Sequence, residues 1–247
     1  MKAGEREALP ITAADFEIAP GYVMWGLMPM VAVLAVTLTR GVLGDVLPNG
    51  MRGGLWILVP LVGYGAVAAA ALPVARRSHP AEPVSPNWLL VIAMTAVALG
   101  VGVLSTVRAA YLDSFRYGYT MEWSVEFGAL FDGLASLLPA FAFVVMRETA
   151  IRGIVVGQLE RQLRSRGQIV SMSAFFDLMI AFASTVAGIF LGSGVLGDPA
   201  TLLLEGTGWL VAVAIGVSLT LVRLGSGRLL PCIVVGFLVV LVGRIIV

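Results

Sequence analysis

The sequence is poor in cysteine, histidine and charged residues. Among its 247 residues there is one cysteine and one histidine, and only 13% of the residues are charged. The single cysteine, Cys232, excludes an internal disulfide and a cysteine cluster for zinc or an iron–sulfur centre. The single histidine, His79, excludes a metal site built from two histidines of this chain. We therefore expect neither a metal nor any other cofactor.

The overall charge and hydropathy point to a membrane rather than to nucleic acid. The formal net charge is +1, which gives no support to a basic nucleic-acid-binding face. Hydrophobic residues make up 59% of the chain, and the mean hydropathy is +0.96. A soluble domain cannot hide that much apolar surface and still stay dispersed in water. The composition predicts an integral membrane protein whose first partner is the lipid bilayer.

The long apolar runs predict an all-α, polytopic fold. A helix that crosses a bilayer needs about 20 mostly apolar residues. We predict about seven transmembrane helices, at residues 22–43, 54–75, 88–107, 127–146, 168–192, 207–224 and 228–246. Residues 1–21 are expected to form a cytoplasmic arm, and residues 22–247 a single transmembrane domain.

The segment 148–166 has a different pattern from the apolar runs on either side of it. Ile151, Val155, Leu159 and Leu163 recur every four residues, and charged residues occupy the other faces. This period predicts an amphipathic helix after the fourth span. It would lie on the membrane surface or extend the span into the cytosol.

The distribution of basic residues predicts the orientation in the membrane. Of the sixteen lysines and arginines, eleven fall at one predicted side and five at the other. Because basic residues are enriched in cytoplasmic loops, we expect a cytoplasmic amino terminus and an external carboxyl terminus. The membrane would be the plasma or inner membrane of the cell. The five residues of the external group are Arg40, Arg52, Arg108, Arg116 and Arg244.

Three sequence blocks occur in a fixed order along the second half of the chain. They are "RETAIRGIVVGQLERQLRSRG", "SMSAFFDLMIAF" and "AVAIGVSLTLVRLGSGRLLPCIVVGFLVV". Together they resemble the motifs of the CAAX protease and bacteriocin-processing family of intramembrane proteases, over about residues 120–245. The resemblance implies a CAAX-protease-like helical bundle. It also implies that Glu148 matches the second motif glutamate, Arg152 the motif arginine and Phe176 the motif phenylalanine.

The chain departs from the family pattern where the family holds its catalytic water. Arg147 stands at the first glutamate and Ile180 at the first histidine. Val235 and Val239 stand at the second histidine and the asparagine. In the family these polar groups position the water and stabilise the oxyanion, whereas isoleucine and valine can donate no hydrogen bond. The pattern therefore predicts a site without catalysis.

Other polar residues of the spans allow further interpretations. Asp177 and Glu148 could form a two-carboxylate or cation-binding site, but we favour a structural ion pair of Asp177 with Arg152 or Arg147. Asp132 and Glu126 are more typical of a helix cap than of a cation site. Cys232 is expected to be a buried, inert thiol rather than a nucleophile.

We expect from these patterns a catalytically inactive, CAAX-protease-like scaffold or binding subunit of a membrane complex. Its partner would be another membrane protein or a lipid-like ligand. One alternative is an intramembrane endopeptidase that uses Glu148 with a non-standard supporting set. A further alternative is a transporter subunit, for which Asp177 is the only supporting residue.

Overall fold

The described residues of the chain lie almost entirely in helices. A computed structural model describes residues 20–46, 48–78, 85–118, 134–163, 165–191 and 199–245. Every regular element in these ranges is helical, which confirms the all-α prediction. The elements are α1 (Pro20–Val46), α2 (Asn49–Ser78), α3 (Trp88–Tyr117), α4 (Leu134–Glu148), a π-helix (Thr149–Val155), α5 (Val156–Gln162), α6 (Arg166–Leu191), α7 (Pro199–Ser226) and α8 (Leu230–Ile245).

Five helices within the described ranges are long and apolar enough to cross a membrane. Their apolar stretches are Val23–Gly44, Gly53–Ser78, Trp88–Arg108, Arg166–Val186 and Gly208–Ser226. Large apolar side chains lie on the outside of the bundle. Leu89 is 80% exposed and Leu210 is 71% exposed, for example. Such a surface is stable in lipid and not in water, so the fold is that of a polytopic membrane protein.

The predicted fourth and seventh spans differ from the other five. The fourth was expected at 127–146, but residues 127–133 lie outside the described ranges, and α4 begins at Leu134. Within the described residues its apolar part runs from Leu134 to Met146, before Arg147 and Glu148, and is shorter than a full span. In α8 the apolar stretch is short, Leu230–Gly243. The number of seven crossings therefore stays a prediction.

The prediction of an amphipathic helix at 148–166 is wrong for most of its length. The helix does continue beyond α4, but all residues from Thr149 to Gly157 are buried. The π-helix packs against α1, α2 and α6, so that no face of it meets water. Only the last turn of α5, with the exposed residues Arg161 and Gln162, has the expected polar face.

The largest buried apolar cluster of the described residues forms around the π-helix. Ile151 and Val155 are both 0% exposed and pack with Val33 of α1 and Phe176 and Ile180 of α6. The four-residue apolar repeat that predicted an amphipathic helix thus belongs to the core. Side chains from the π-helix fix the spacing of the helices around it.

Two glycines let α2 approach this central segment closely. A Cβ atom added to Gly153 would lie 2.8 Å from the Ala75 Cβ. A Cβ atom added to Gly157 would lie 2.8 Å from the backbone carbonyl oxygen of Ser78. Small residues of this kind allow helix backbones to pack against each other in membrane proteins. Here they act within the chain.

The turn between α7 and α8 reverses the chain at the end of the bundle. Gly227 has a φ of 66°, a left-handed conformation that glycine adopts without strain. Its N–H donates to the Arg223 carbonyl at 2.9 Å, and the Ser226 hydroxyl accepts from the Arg228 N–H at 3.2 Å. These bonds end α7 and bring α8 back beside α4.

We predict that Gly157→Ala destabilises the protein. The new methyl group would overlap the Ser78 carbonyl, and overpacking of this kind costs about 1–3 kcal/mol. The matched control is Gly65→Ala in α2, where an added Cβ has no atom within 4 Å. Thermal unfolding in detergent should show a lower Tm for Gly157→Ala and an equal or higher Tm for Gly65→Ala. Equal Tm values for the two variants would contradict this packing.

Candidate functional site: a buried charge cluster

The structure brings four sequence-predicted residues into one cluster inside the bundle. Arg147 and Glu148 end α4, Arg152 lies in the π-helix, and Asp177 lies in α6. Glu148 and Arg152 are 0% exposed and Asp177 is 4% exposed. We refer to Arg147, Glu148, Arg152 and Asp177 as the charge cluster. Two acids and two bases give the charge cluster a formal charge of zero.

Arg152 forms the centre of the charge cluster. Its Nη1 donates to Asp177 Oδ1 at 2.9 Å, and its Nη2 donates to Asp177 Oδ2. The same Nη2 also donates to the Gly216 carbonyl oxygen of α7 at 2.6 Å. This parallel pairing is the geometry in which a guanidinium binds a carboxylate most strongly. One side chain thereby joins the π-helix, α6 and α7.

Glu148 lies between the two arginines. Its Oε1 accepts from Arg147 Nε at 2.7 Å and is also 2.7 Å from Arg147 Nη2. Its Oε2 lies 3.5 Å from Arg152 Nε, which is an ion-pair distance but not a hydrogen bond. Arg147 is the most exposed member of the charge cluster, with 17% of its side chain accessible. Arg147 therefore lies at the edge of the charge cluster.

Glycines on two further helices lie against these charges, and Gly216 makes room for one of them. A Cβ atom added to Gly216 in α7 would overlap the Asp177 carboxylate. A Cβ atom added to Gly236 in α8 would lie 3.8 Å from both Arg147 Nη2 and Glu148 Cγ. The backbones of α7 and α8 therefore line the charge cluster. Neither glycine was predicted to belong to the site, because a single glycine in an apolar run is equally compatible with packing elsewhere in the bundle.

A second polar contact supports the Gly216 carbonyl. Thr220 donates to this carbonyl at 3.0 Å, and the hydroxyl oxygens of Thr220 and Ser173 lie 2.6 Å apart. Ser173 is on α6, one turn before Asp177. These hydroxyl groups hold α6 and α7 together at the level where Arg152 also joins them. They were not predicted, since serine and threonine are ordinary residues of membrane helices.

The remaining motif positions do not converge on Glu148 as one apolar lining. Ile180 packs in the central cluster with Ile151. Val235 packs with Ala98 of α3 and Leu219 of α7, and Val239 packs at the edge of that second cluster. Phe176 is 3% exposed, and its ring covers Gly26 of α1. On α8, Gly236 faces the charge cluster, since a Cβ atom added to it would lie 3.8 Å from Glu148 Cγ.

The other candidate residues of the sequence lie outside the charge cluster or outside the described ranges. Cys232 is fully buried, and its thiol donates to the Leu219 carbonyl at 3.3 Å. His79, Glu126 and Asp132 lie outside the described residues. Within the described ranges, no group of three or more histidine, cysteine, aspartate or glutamate residues is placed to hold a metal ion.

A second arginine was expected in a cytoplasmic loop but is buried. Arg223 was counted among the residues of a cytoplasmic loop, but it is 0% exposed. Its Nη2 lies 3.3 Å from Glu160 Oε2 of α5, so the pair joins α5 to α7. Partial burial raises the pKa of Glu160, an effect that the Arg223 guanidinium opposes.

The chain matches none of the known protein families, the curated proteins or the solved structures with which we compared it. The likeness to CAAX-type proteases accordingly stays a prediction from the three sequence blocks.

We predict strong, non-additive effects of mutations in the Arg152–Asp177 pair. Arg152→Met or Asp177→Leu alone would leave a buried charge without its main partner, which costs about 3–5 kcal/mol. The double variant removes both charges and should be more stable than either single variant. Chemical unfolding of all three proteins in detergent would measure this coupling.

Leu178→Ala is the control for this cycle, because Leu178 follows Asp177 on α6 and is 36% exposed. It should change the free energy of unfolding much less than Asp177→Leu does. If the losses in the two single variants simply add in the double variant, the pair does not hold the helices together as described.

Proposed function

We propose that the chain is a non-catalytic membrane protein with the architecture of CAAX-type intramembrane proteases. It would serve as a scaffold or binding subunit of a complex in the plasma or inner membrane, and its partner would be another membrane protein or a lipid-like ligand. The observation that carries this proposal is the pairing of both buried carboxylates with guanidinium groups. The charge cluster supplies cohesion between helices rather than a reactive group.

A general base needs free lone pairs and a water molecule held in line with the substrate. Glu148 Oε1 is already occupied by Arg147, and both oxygens of Asp177 are occupied by Arg152. Peptide hydrolysis also needs donors for the oxyanion, and losing one such donor costs about 2.7–4 kcal/mol. The side chains of Ile180 and Val235 provide none.

The same geometry argues against transport through Asp177. A proton or cation carrier must release its load on each cycle, whereas this carboxylate is bound in parallel by one guanidinium in the interior. A binding role requires no such release.

The distribution of charge still supports a cytoplasmic amino terminus. Arg152 and Arg223 are buried in ion pairs and no longer count as loop charges. Eleven basic residues minus these two leaves nine on the predicted cytoplasmic side, against five on the other. The excess is smaller than the sequence count but has the same sign.

One observation favours an intramembrane endopeptidase as the second candidate. Glu148 Oε2 is buried and has no hydrogen bond within the described residues. An oxygen in that state can accept a hydrogen bond from a water molecule, which is the first requirement of a carboxylate base. The experiment must therefore separate binding from cleavage.

We predict that Glu148→Gln leaves the function intact. Tagged wild-type and variant chains would be purified from membranes in mild detergent, and co-purifying proteins and lipids identified by mass spectrometry. A stoichiometric membrane partner or lipid should be retained by both proteins. A peptide library incubated with each protein should show no cleavage that depends on Glu148.

The control is Leu178→Ala, a change outside the charge cluster, and unfolding curves would show that each variant is folded. If wild-type protein cleaves peptides and folded Glu148→Gln does not, the protein is an endopeptidase and the scaffold proposal fails. If neither protein retains a partner or lipid, the binding role fails.

A further inference from the structure

A cleft lies at the opposite end of α4 from the charge cluster. It has a volume of about 420 Å³ and lies between α1, α2 and α4. Pockets for small ligands typically measure about 300–1,000 Å³. We refer to it as the Arg40 cleft. Its lining includes Arg40, Trp56, Pro60, Tyr64, Pro139 and Phe143.

Arg40 and Trp56 place the mouth of the cleft near the ends of two apolar stretches, where lipid headgroups are expected. Arg40 is four residues from the end of the apolar stretch Val23–Gly44, about 6 Å along a helix. Trp56 is three residues from the start of the next apolar stretch. Tryptophan and arginine at such depths are typical of the membrane interface. Glu148 lies nine residues beyond Pro139, about 13 Å along the helix, and Phe143 lies between the two sites, with the central carbon of the Arg147 guanidinium 5.9 Å from its ring centroid.

The guanidinium of Arg40 is presented in a way that suits an anion. It lies over the Trp56 ring, with its central carbon 3.4 Å from the ring centroid. Stacking uses the face of the guanidinium and leaves its in-plane N–H groups available for hydrogen bonds. Arg40 Nε is buried and has no hydrogen-bond partner in the described part of the chain. Arg40 takes part in none of the ion pairs found among the described residues.

Apart from the Tyr64 hydroxyl, the other walls of the Arg40 cleft are apolar. Tyr64 and Phe143 pack edge to face, with ring centroids 5.4 Å apart, and Pro60 and Pro139 complete the walls. The outer surfaces of the same helices carry exposed apolar side chains, which include Leu38, Val42 and Leu138. A hydrocarbon chain that leaves the cleft would therefore continue along an apolar surface. A ligand that satisfies both parts needs an anionic group and an apolar tail.

We propose that the Arg40 cleft binds the headgroup phosphate of an anionic membrane amphiphile. The in-plane N–H groups of Arg40 donate to the phosphate oxygens, and the aromatic and proline walls hold the first part of the tail. Planar, forked recognition by arginine is well matched to phosphate. This inference uses neither the motif resemblance nor the proposed scaffold role.

The test measures lipid binding to the purified chain by native mass spectrometry. Phosphatidylglycerol, which is anionic, and phosphatidylcholine, which is zwitterionic, would be titrated separately. We expect tighter binding of phosphatidylglycerol to the wild type, and about tenfold weaker binding in Arg40→Gln through loss of a charge-assisted hydrogen bond. Inorganic phosphate at millimolar concentration should not displace the lipid, since it lacks the tail.

The matched control is Arg108→Gln, because Arg108 also ends an apolar stretch but does not line the cleft. It should bind phosphatidylglycerol as the wild type does. Ala140→Phe keeps Arg40 and fills part of the cleft, so it should also weaken binding if Arg40→Gln does not fold. Equal binding of the two lipids by the wild type would overturn the proposal, as would equal losses in Arg40→Gln and Arg108→Gln. If inorganic phosphate displaces the lipid, the ligand of the cleft is a soluble anion, and the proposal of an amphiphile is wrong.

Discussion

The hydrogen bonds of Arg152 are the constraint on which the rest of the bundle depends. A guanidinium in the interior of a membrane protein is stable only if its charge and its donors are matched. Asp177 supplies the charge and two acceptors, and the Gly216 carbonyl supplies a third acceptor. Arg152, Asp177 and Gly216 belong to the π-helix, α6 and α7, so the three segments cannot shift independently. Gly216 must lack a side chain, because a Cβ atom would occupy the space of the Asp177 carboxylate.

Glu148 has a secondary place in this arrangement. It contacts Arg152 at a longer distance than Asp177 does, and its hydrogen bond is to Arg147. Arg147 balances the charge of Glu148 within the same turn. With an acid at 147, the cluster would have one base and three acids. The arginine at this position therefore makes the charge cluster electrically neutral.

The sequence predicted the members of the charge cluster better than the segment that carries them. Spacing placed Glu148 and Arg152 one turn apart, and a mid-span acid is rare enough for Asp177 to be noticed. The π-helix was not predicted, because a four-residue apolar repeat is compatible with several helix types and with burial on all sides. Gly216 and Gly236 were missed because their role depends on which helix lies opposite, and a single sequence does not contain that information.

Arg152 in the π-helix and Arg40 in α1 show how the surroundings of an arginine decide what it can bind. Arg152 donates to acceptors on α6 and α7 and has Glu148 at ion-pair distance, so its charge is already balanced and contributes to cohesion. Arg40 is covered on one face by Trp56 and keeps donors in its plane, with apolar walls around it. Stacking on an aromatic ring lowers the cost of burial without neutralising the charge. Because the charge cluster is neutral and the Arg40 cleft is not, anion binding by this part of the bundle is expected at the cleft, where a headgroup can bind while its tail stays in the lipid.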